Sequence, residues 1–261
     1  PPLPPLLPAL ARPTAAQAPP TFEDSMAQRT LACTICHGAQ GRAGPDGYYP
    51  RIAGKPAGYL YNQLKNFQAG LRKFDAMNHL VQNLSDDYLH EMANYFAGLD
   101  VPYPPAQASG LTPREEAAAR ALVFDGAPQR GVPACVACHG QQMAGMLPAM
   151  PGLLTLPADY LNSQLGAWRT GQRHAKAPDC MAGVAKALAP EEISVVSRWL
   201  SAQTLPAGPK PAPPSRQPLP TACVETTRAI DGDLNAADEL RNFTGREIPM
   251  GLSVAAGNRW G

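Results

Sequence analysis

Two copies of one five-residue pattern constrain this chain more than anything else in it. Cys33-Thr34-Ile35-Cys36-His37 and Cys135-Val136-Ala137-Cys138-His139 both read C-x-x-C-H, and they begin 102 residues apart. On a helical turn, residues three and four apart share a face. The two thiols of each copy therefore point the same way, with an imidazole beside them. That arrangement suits two thioether bonds to one edge of a porphyrin and a histidine bound to its iron from the proximal side. C-x-x-C-H is the attachment motif of haem c. A lone C-x-x-C also occurs as a zinc half-site or a redox dithiol. A four-cysteine zinc site could join the two pairs, but it would leave both adjacent histidines without a role.

The similarity extends beyond the motifs. Pro50-Arg51-Ile52 parallels Pro151-Gly152-Leu153. Pro56, Tyr59, Leu60, Gln63, Leu64 and Gly70 recur 101 residues later as Pro157, Tyr160, Leu161, Gln164, Leu165 and Gly171. Met77, Leu84 and Tyr95-Phe96 recur at an offset of 104 as Met181, Leu188 and Trp199-Leu200. The slip falls between Gly171 and Met181, where a loop insertion costs little. Two copies of one haem-binding unit account for this pattern.

Composition agrees. The 261 residues include 30 prolines and 23 glycines, which disfavours long uninterrupted helices and a large regular sheet. The length suits two units of roughly 100 residues. We divide the chain into a proline-rich tether or signal remnant (1–20), unit one (21–104), unit two (105–205) and a proline-rich strap with a C-terminal extension (206–261). Twenty-two basic residues against 21 acidic ones leave a formal charge of +1, which argues against a nucleic-acid partner. No run of about 18 apolar residues encodes a membrane span.

The expected elements are helices. Thr21 can cap a helix with Glu23 and Asp24 in its first turn, leading into the first motif. Thr112-Pro113-Arg114-Glu115 reads as a capping box opening the equivalent helix of unit two, which runs through Leu122, Val123 and Phe124. Leu60, Leu64 and Phe67 make one apolar stripe, repeated by Leu161, Leu165 and Trp168. Ser85 caps the last helix of unit one, with Leu89, Met92, Ala93 and Phe96 on its inner side. Pro190, Glu191 and Glu192 open its counterpart, with Ile193, Val196, Trp199 and Leu200 inward. No segment alternates as a strand should.

A proximal histidine leaves one axial position on each iron. A methionine thioether suits ferrous iron and raises the reduction potential. Met77 and Met181 share the pattern of Met, six residues, Leu, then the opening of a helix. They are the candidate sixth ligands, and His79 competes with Met77. His90 should lie on the last helix of unit one, at the surface. His174 lies in the inserted stretch and has no counterpart in unit one.

With the C-x-x-C-H motifs, the Pro-x-(Ile/Leu) segments, the Tyr-Leu-x-x-Gln-Leu helices and the Met-x6-Leu signatures together, residues 21–203 resemble dihaem cytochrome c of the cytochrome c4 type. The resemblance implies an all-α fold of two tandem class I cytochrome c domains related by pseudo-twofold symmetry, here followed by an irregular C-terminal extension. It implies two covalently bound haem c groups attached through Cys33, Cys36, Cys135 and Cys138. His37 and Met77 would bind one iron, His139 and Met181 the other. The carbonyls of Pro50 and Pro151 would hold His37 and His139 in orientation. It also implies single-electron transfer between a periplasmic or membrane dehydrogenase and a terminal oxidase or other acceptor. Two departures stand out within the units. Gly54 is replaced by Thr155, which suggests a different local backbone there, and Cys180 immediately precedes Met181.

Haem c is attached outside the cytoplasm, in the periplasm of Gram-negative bacteria, where leftover cysteines oxidise. Cys180 and Cys223 are the two that remain, and a disulfide between them would pin the strap of residues 206–220 to the rim of the second haem. The alternative is a Cys180 thiolate on iron in place of Met181, as in thiosulfate dehydrogenase-like dihaem proteins. Residues 210–216 should be extended. Residues 224–261, weakly helical around Asp233 to Phe243, read either as a disordered extension or as a docking arm for a membrane-complex subunit. Ala16-Gln17-Ala18 is similar to a signal-peptidase site, although its apolar part is too proline-rich for an ordinary leader. No acid–base pair, nucleophile motif or phosphate loop accompanies the motifs. The expectation is an electron carrier without substrate turnover, with a cytochrome subunit of a larger oxidoreductase or a haem enzyme as alternatives.

Overall fold

A helix pair organises each half of the molecule. The computed structural model describes residues 23–44, 47–205, 208–221 and 223. The 1–20 tether, the expected cap Thr21 and the 224–261 extension lie outside the described residues.

The first half contains α1 (Met26–Arg29), α2 (Leu31–His37), α3 (Ala57–Gln68), α4 (Asp75–Val81) and α5 (Asp86–Gly98). The second contains α6 (Pro113–Phe124), α7 (Val136–His139), α8 (Ala158–Arg169), α9 (Cys180–Ala187) and α10 (Pro190–Ala202). α3 packs on α5, and its repeat α8 packs on α10, which also covers α6. The expected stripes supply these contacts. Leu60, Phe67, Leu89, Met92, Ala93 and Phe96 are buried in the first half. Leu122, Val123, Leu161, Ile193, Val196 and Leu200 form one buried cluster in the second. Each buried Leu, Ile, Val, Met or Phe among them contributes about 1.5–3 kcal/mol through its removal from water.

Helix starts follow local chemistry. Ser85 accepts a bond from Tyr88 N at the head of α5. Thr112 and Glu115 form the reciprocal capping box of α6. Glu192 accepts from Ala189 N at the head of α10. The first helix departs from expectation: it starts at Met26 with Ser25 as its cap. Glu23 and Asp24 precede it rather than occupying its first turn. Asp24 instead bonds Arg29, 2.6 Å from its Nε, at the other end of the helix.

The architecture is all-α except for one antiparallel ribbon, β1 (Gly145–Met146) paired with β2 (Met150–Pro151) in the register Gly145 to Pro151 and Met146 to Met150. Strands of two residues are too short to show alternation, which is why the sequence reveals no strand. The expected disulfide is present: Cys180 and Cys223 are joined with Cα atoms 5.2 Å apart. The extended strap passes along the ribbon. Ala212 N donates to Gly145 O (2.9 Å), and Leu147 N donates to Ala212 O (2.8 Å).

The apolar clusters among the described residues each lie within one half. The seam between the halves is polar and obeys the pseudo-twofold relation. Arg72 donates to Gln63 Oε1 of its own half (3.1 Å) and to Tyr160 Oη (2.9 Å) and Gln164 Oε1 (2.8 Å) of the other. Arg173 mirrors it, donating to Gln164 Oε1 (2.7 Å) and Gln63 Oε1 (2.9 Å). Arg72 lies over the Phe67 ring and Arg173 over the ring of Trp168, the repeat counterpart of Phe67. Among the described residues no helix is long and apolar enough to cross a membrane.

Candidate haem sites

α2 and α7 each end on their histidine, and a glycine then turns the chain sharply. Gly38 has φ +74° and Gly140 has φ +80°. A Cβ on Gly38 would sit 2.4 Å from Ala43 O, and one on Gly140 would sit 2.8 Å from Gly145 O. Only glycine lets the following loop fold back this closely. The loop then brings a proline carbonyl to each imidazole. His37 Nδ1–H donates to Pro50 O at 2.8 Å, and His139 Nδ1–H donates to Pro151 O at 2.8 Å. A carbonyl only accepts, so each bond puts the proton on Nδ1 and leaves the Nε2 lone pair available to a metal. Both rings are buried. Burial holds the pKa of each below the ordinary histidine value, opposed by the proline bond; the charge of Arg72 lowers His37 further, and that of Lys55 lowers His139. A neutral imidazole is the form that binds iron.

The four motif cysteines are partly buried and carry no disulfide. Burial pushes Cys135 up to about 11 and also raises Cys33 and Cys138. A redox dithiol needs the opposite shift. Among the described residues no three His, Cys, Asp or Glu side chains cluster as a metal cage, so the two pairs do not assemble into one zinc site. The residues fit covalent haem instead, with two thiols and one oriented imidazole at each site. A haem c bound there supplies a one-electron iron centre.

Met77 lies on α4, partly buried against the cluster of Phe67, Val81, Leu89 and Met92. His79, two residues on, is exposed and bonds Gln82. Met181 is partly buried near the start of α9, whose cap Asp179 accepts from Ala182 N. Cys180 is committed to Cys223, so the thiolate alternative has no free sulfur. His90 stacks on Tyr61, with ring centroids 3.7 Å apart, and His174 is exposed.

Thr155 departs from Gly54 in type but not in backbone: its φ is +57° against +70° for Gly54. The different backbone expected there is not found, because the surrounding loop imposes the left-handed turn on a β-branched residue.

The structure also identifies residues that the sequence reading missed. Arg51 clamps the first proline segment, donating to Ala53 O (3.1 Å), Pro102 O (2.8 Å) and Val101 O (2.6 Å). Its repeat counterpart is Gly152, and there the β1–β2 ribbon takes over the holding task. Arg72 and Arg173 keep the 101-residue offset, which was the available signal.

Two C-x-x-C-H helices, each with its imidazole oriented by a proline carbonyl, define a dihaem c-type cytochrome. The chain is 34% identical over 171 residues to the thiosulfate dehydrogenase electron acceptor of Stutzerimonas stutzeri, covering 66% of this chain and 78% of that one. It is 31% identical over 174 residues to cytochrome c4 of Pseudomonas aeruginosa, covering 66% and 84%. The chain belongs to the cytochrome c4 family; it is an electron-transfer protein with two covalently bound haem c groups. Its fold matches the crystal structure of reduced recombinant cytochrome c4 from Pseudomonas stutzeri with a TM-score of 0.60 at 28% identity, covering 69% of this chain and 97% of that one. It matches thiosulfate dehydrogenase (TsdBA) from Marichromatium purpuratum with a TM-score of 0.60 at 32% identity, covering 74% of this chain and 41% of that longer one. No protein-family model matches the chain.

Proposed function

We propose that this chain is a periplasmic electron carrier. It takes single electrons from a dehydrogenase, with thiosulfate dehydrogenase as the leading donor, and passes them to a terminal oxidase or other acceptor without turning over a substrate itself. In this reading residues 21–104 and 105–205 are the two haem units. Cys33 and Cys36 hold the first haem, Cys135 and Cys138 the second. His37 and Met77 ligate one iron, His139 and Met181 the other, and Pro50 and Pro151 orient the imidazoles. The observation that carries this reading is the matched pair of imidazole-to-proline bonds, 2.8 Å in both halves. The donor assignment draws support from the relative named as an electron acceptor of thiosulfate dehydrogenase. The Cys180–Cys223 disulfide supports an oxidising compartment.

A second reading, a cytochrome subunit of a larger oxidoreductase, is favoured by the alignment with 41% of a longer thiosulfate dehydrogenase chain. One experiment addresses both readings. Oxidised holoprotein is mixed in a stopped-flow cell with thiosulfate dehydrogenase and thiosulfate, and haem reduction is followed by absorbance. The carrier reading expects two electrons per chain, with no reduction when the enzyme is left out. No reduction by the enzyme, where dithionite reduces both haems, removes this donor. Complex formation on size exclusion before reduction favours the subunit reading.

A further inference from the structure

Lys55 belongs to the first half but reaches the second haem site. Its Nζ donates to Gly152 O at 3.0 Å. Gly152 directly follows Pro151, whose carbonyl holds His139. The acceptor is rigidly placed: a Cβ on Gly152 would lie 2.5 Å from Ala144 O, so the backbone there packs against its neighbour without room for a side chain. Lys55, Arg51, Tyr103, Met143 and Gly152 line one small cavity at this seam. Among the described residues no carboxylate bonds to Lys55. Burial, and then the like charge of Arg51, lower its pKa to about 7, so its charge is fully present only below that pH. The bond to Gly152 O is available to both protonation forms.

The contact has no counterpart in the first site. At the 101-residue offset Lys55 becomes Leu156, which is buried and cannot donate, and Gly152 corresponds to Arg51. The cation that weighs on His37 is Arg72, from the same half. The cation that weighs on His139 comes from the opposite half.

We propose that Lys55 is a positioning residue for the second haem, acting across the seam. Its ammonium clamps the peptide next to the one that orients His139, and its positive charge favours the reduced iron. Docking of the two halves therefore raises the potential of the second haem selectively. This rests on His139 and Met181 being the second iron's ligands.

The test uses the holoprotein and spectroelectrochemical titration resolved into its two haems, run about one pH unit below the Lys55 pKa of about 7 so that the ammonium is charged. The second haem is identified as the one whose spectrum changes in Met181→Ala. Lys55→Met keeps most of the stem and removes the charge; Lys55→Arg keeps the charge. The expected result for Lys55→Met is a roughly tenfold fall in the reduction equilibrium constant of the second haem, about 59 mV for one electron. The first haem stays unchanged, and Lys55→Arg remains near wild type. Equal shifts in both haems, no shift, or the same shift in Lys55→Arg would overturn the proposal. A Met181→Ala protein with neither haem spectrum altered would instead overturn the ligand assignment.

Discussion

Replacing Cys223 by serine removes the bridge to Cys180 and opens a loop spanning 43 residues. On the chain-entropy estimate, that cross-link takes about 4 kcal/mol of freedom from the unfolded chain. The folded state loses little directly. Ala212 still bonds the ribbon at Gly145 and Leu147, but Cys223, buried at 4% exposure, no longer seals Met146 and Met150. The net expectation is a loss of about 4 kcal/mol in unfolding free energy. Guanidinium titration followed by tryptophan fluorescence measures it, because Trp168 and Trp199 both lie in the second half. With both haems held ferrous by ascorbate in every sample, wild type treated with a thiol reductant should reproduce the variant, and the thiol reductant should leave Cys223→Ser unchanged. A loss below about 1 kcal/mol, or a midpoint of the wild type that reductant does not move, would refute the loop-closure reasoning.

Two further substitutions follow from the geometry. Thr155→Gly relieves a β-branched residue of a left-handed backbone and should stabilise the protein by about 1 kcal/mol in the same titration, where a destabilised variant contradicts the reading. Gln164→Ala removes the oxygen that accepts from both Arg72 and Arg173, so two buried guanidinium groups each lose a bond. It should cost about 2–3 kcal/mol, and calorimetry that finds the variant within about 0.5 kcal/mol of wild type removes the seam from the account.

Much of this molecule is legible in its sequence because local rules and tertiary packing agree. The stripes Leu60–Leu64–Phe67 and Ile193–Val196–Leu200 face the core because their spacing leaves them no other side. Ser85 and Thr112 cap their helices because the residues after them supply the donors. The pairing of each motif with its proline segment is legible because the spacing and the repeat register agree, and each imidazole does meet its proline carbonyl. What escaped depends on contacts far apart in sequence. Arg72 and Arg173 follow glycines that end helices, where an arginine reads as solvated; only the meeting of the two halves buries them. Lys55 breaks the repeat, so comparing the halves gives no hint of a partner at Gly152. Thr155 suggested a changed backbone because its own preference is against positive φ, yet the loop around it prevails. The first helix starts at Met26 behind Ser25, and Asp24 precedes it and pairs with Arg29, a placement that residue type and spacing alone do not reveal.

The central claim is that a histidine and a methionine occupy the two axial positions of both irons. Near-infrared magnetic circular dichroism of the oxidised holoprotein tests it most directly, alongside Met77→Ala and Met181→Ala. The account predicts a methionine-to-ferric charge-transfer band from both haems, with each variant losing the band of one haem and gaining carbon monoxide binding there. A wild-type protein that lacks the band at either haem, or that binds carbon monoxide without mutation, would contradict it.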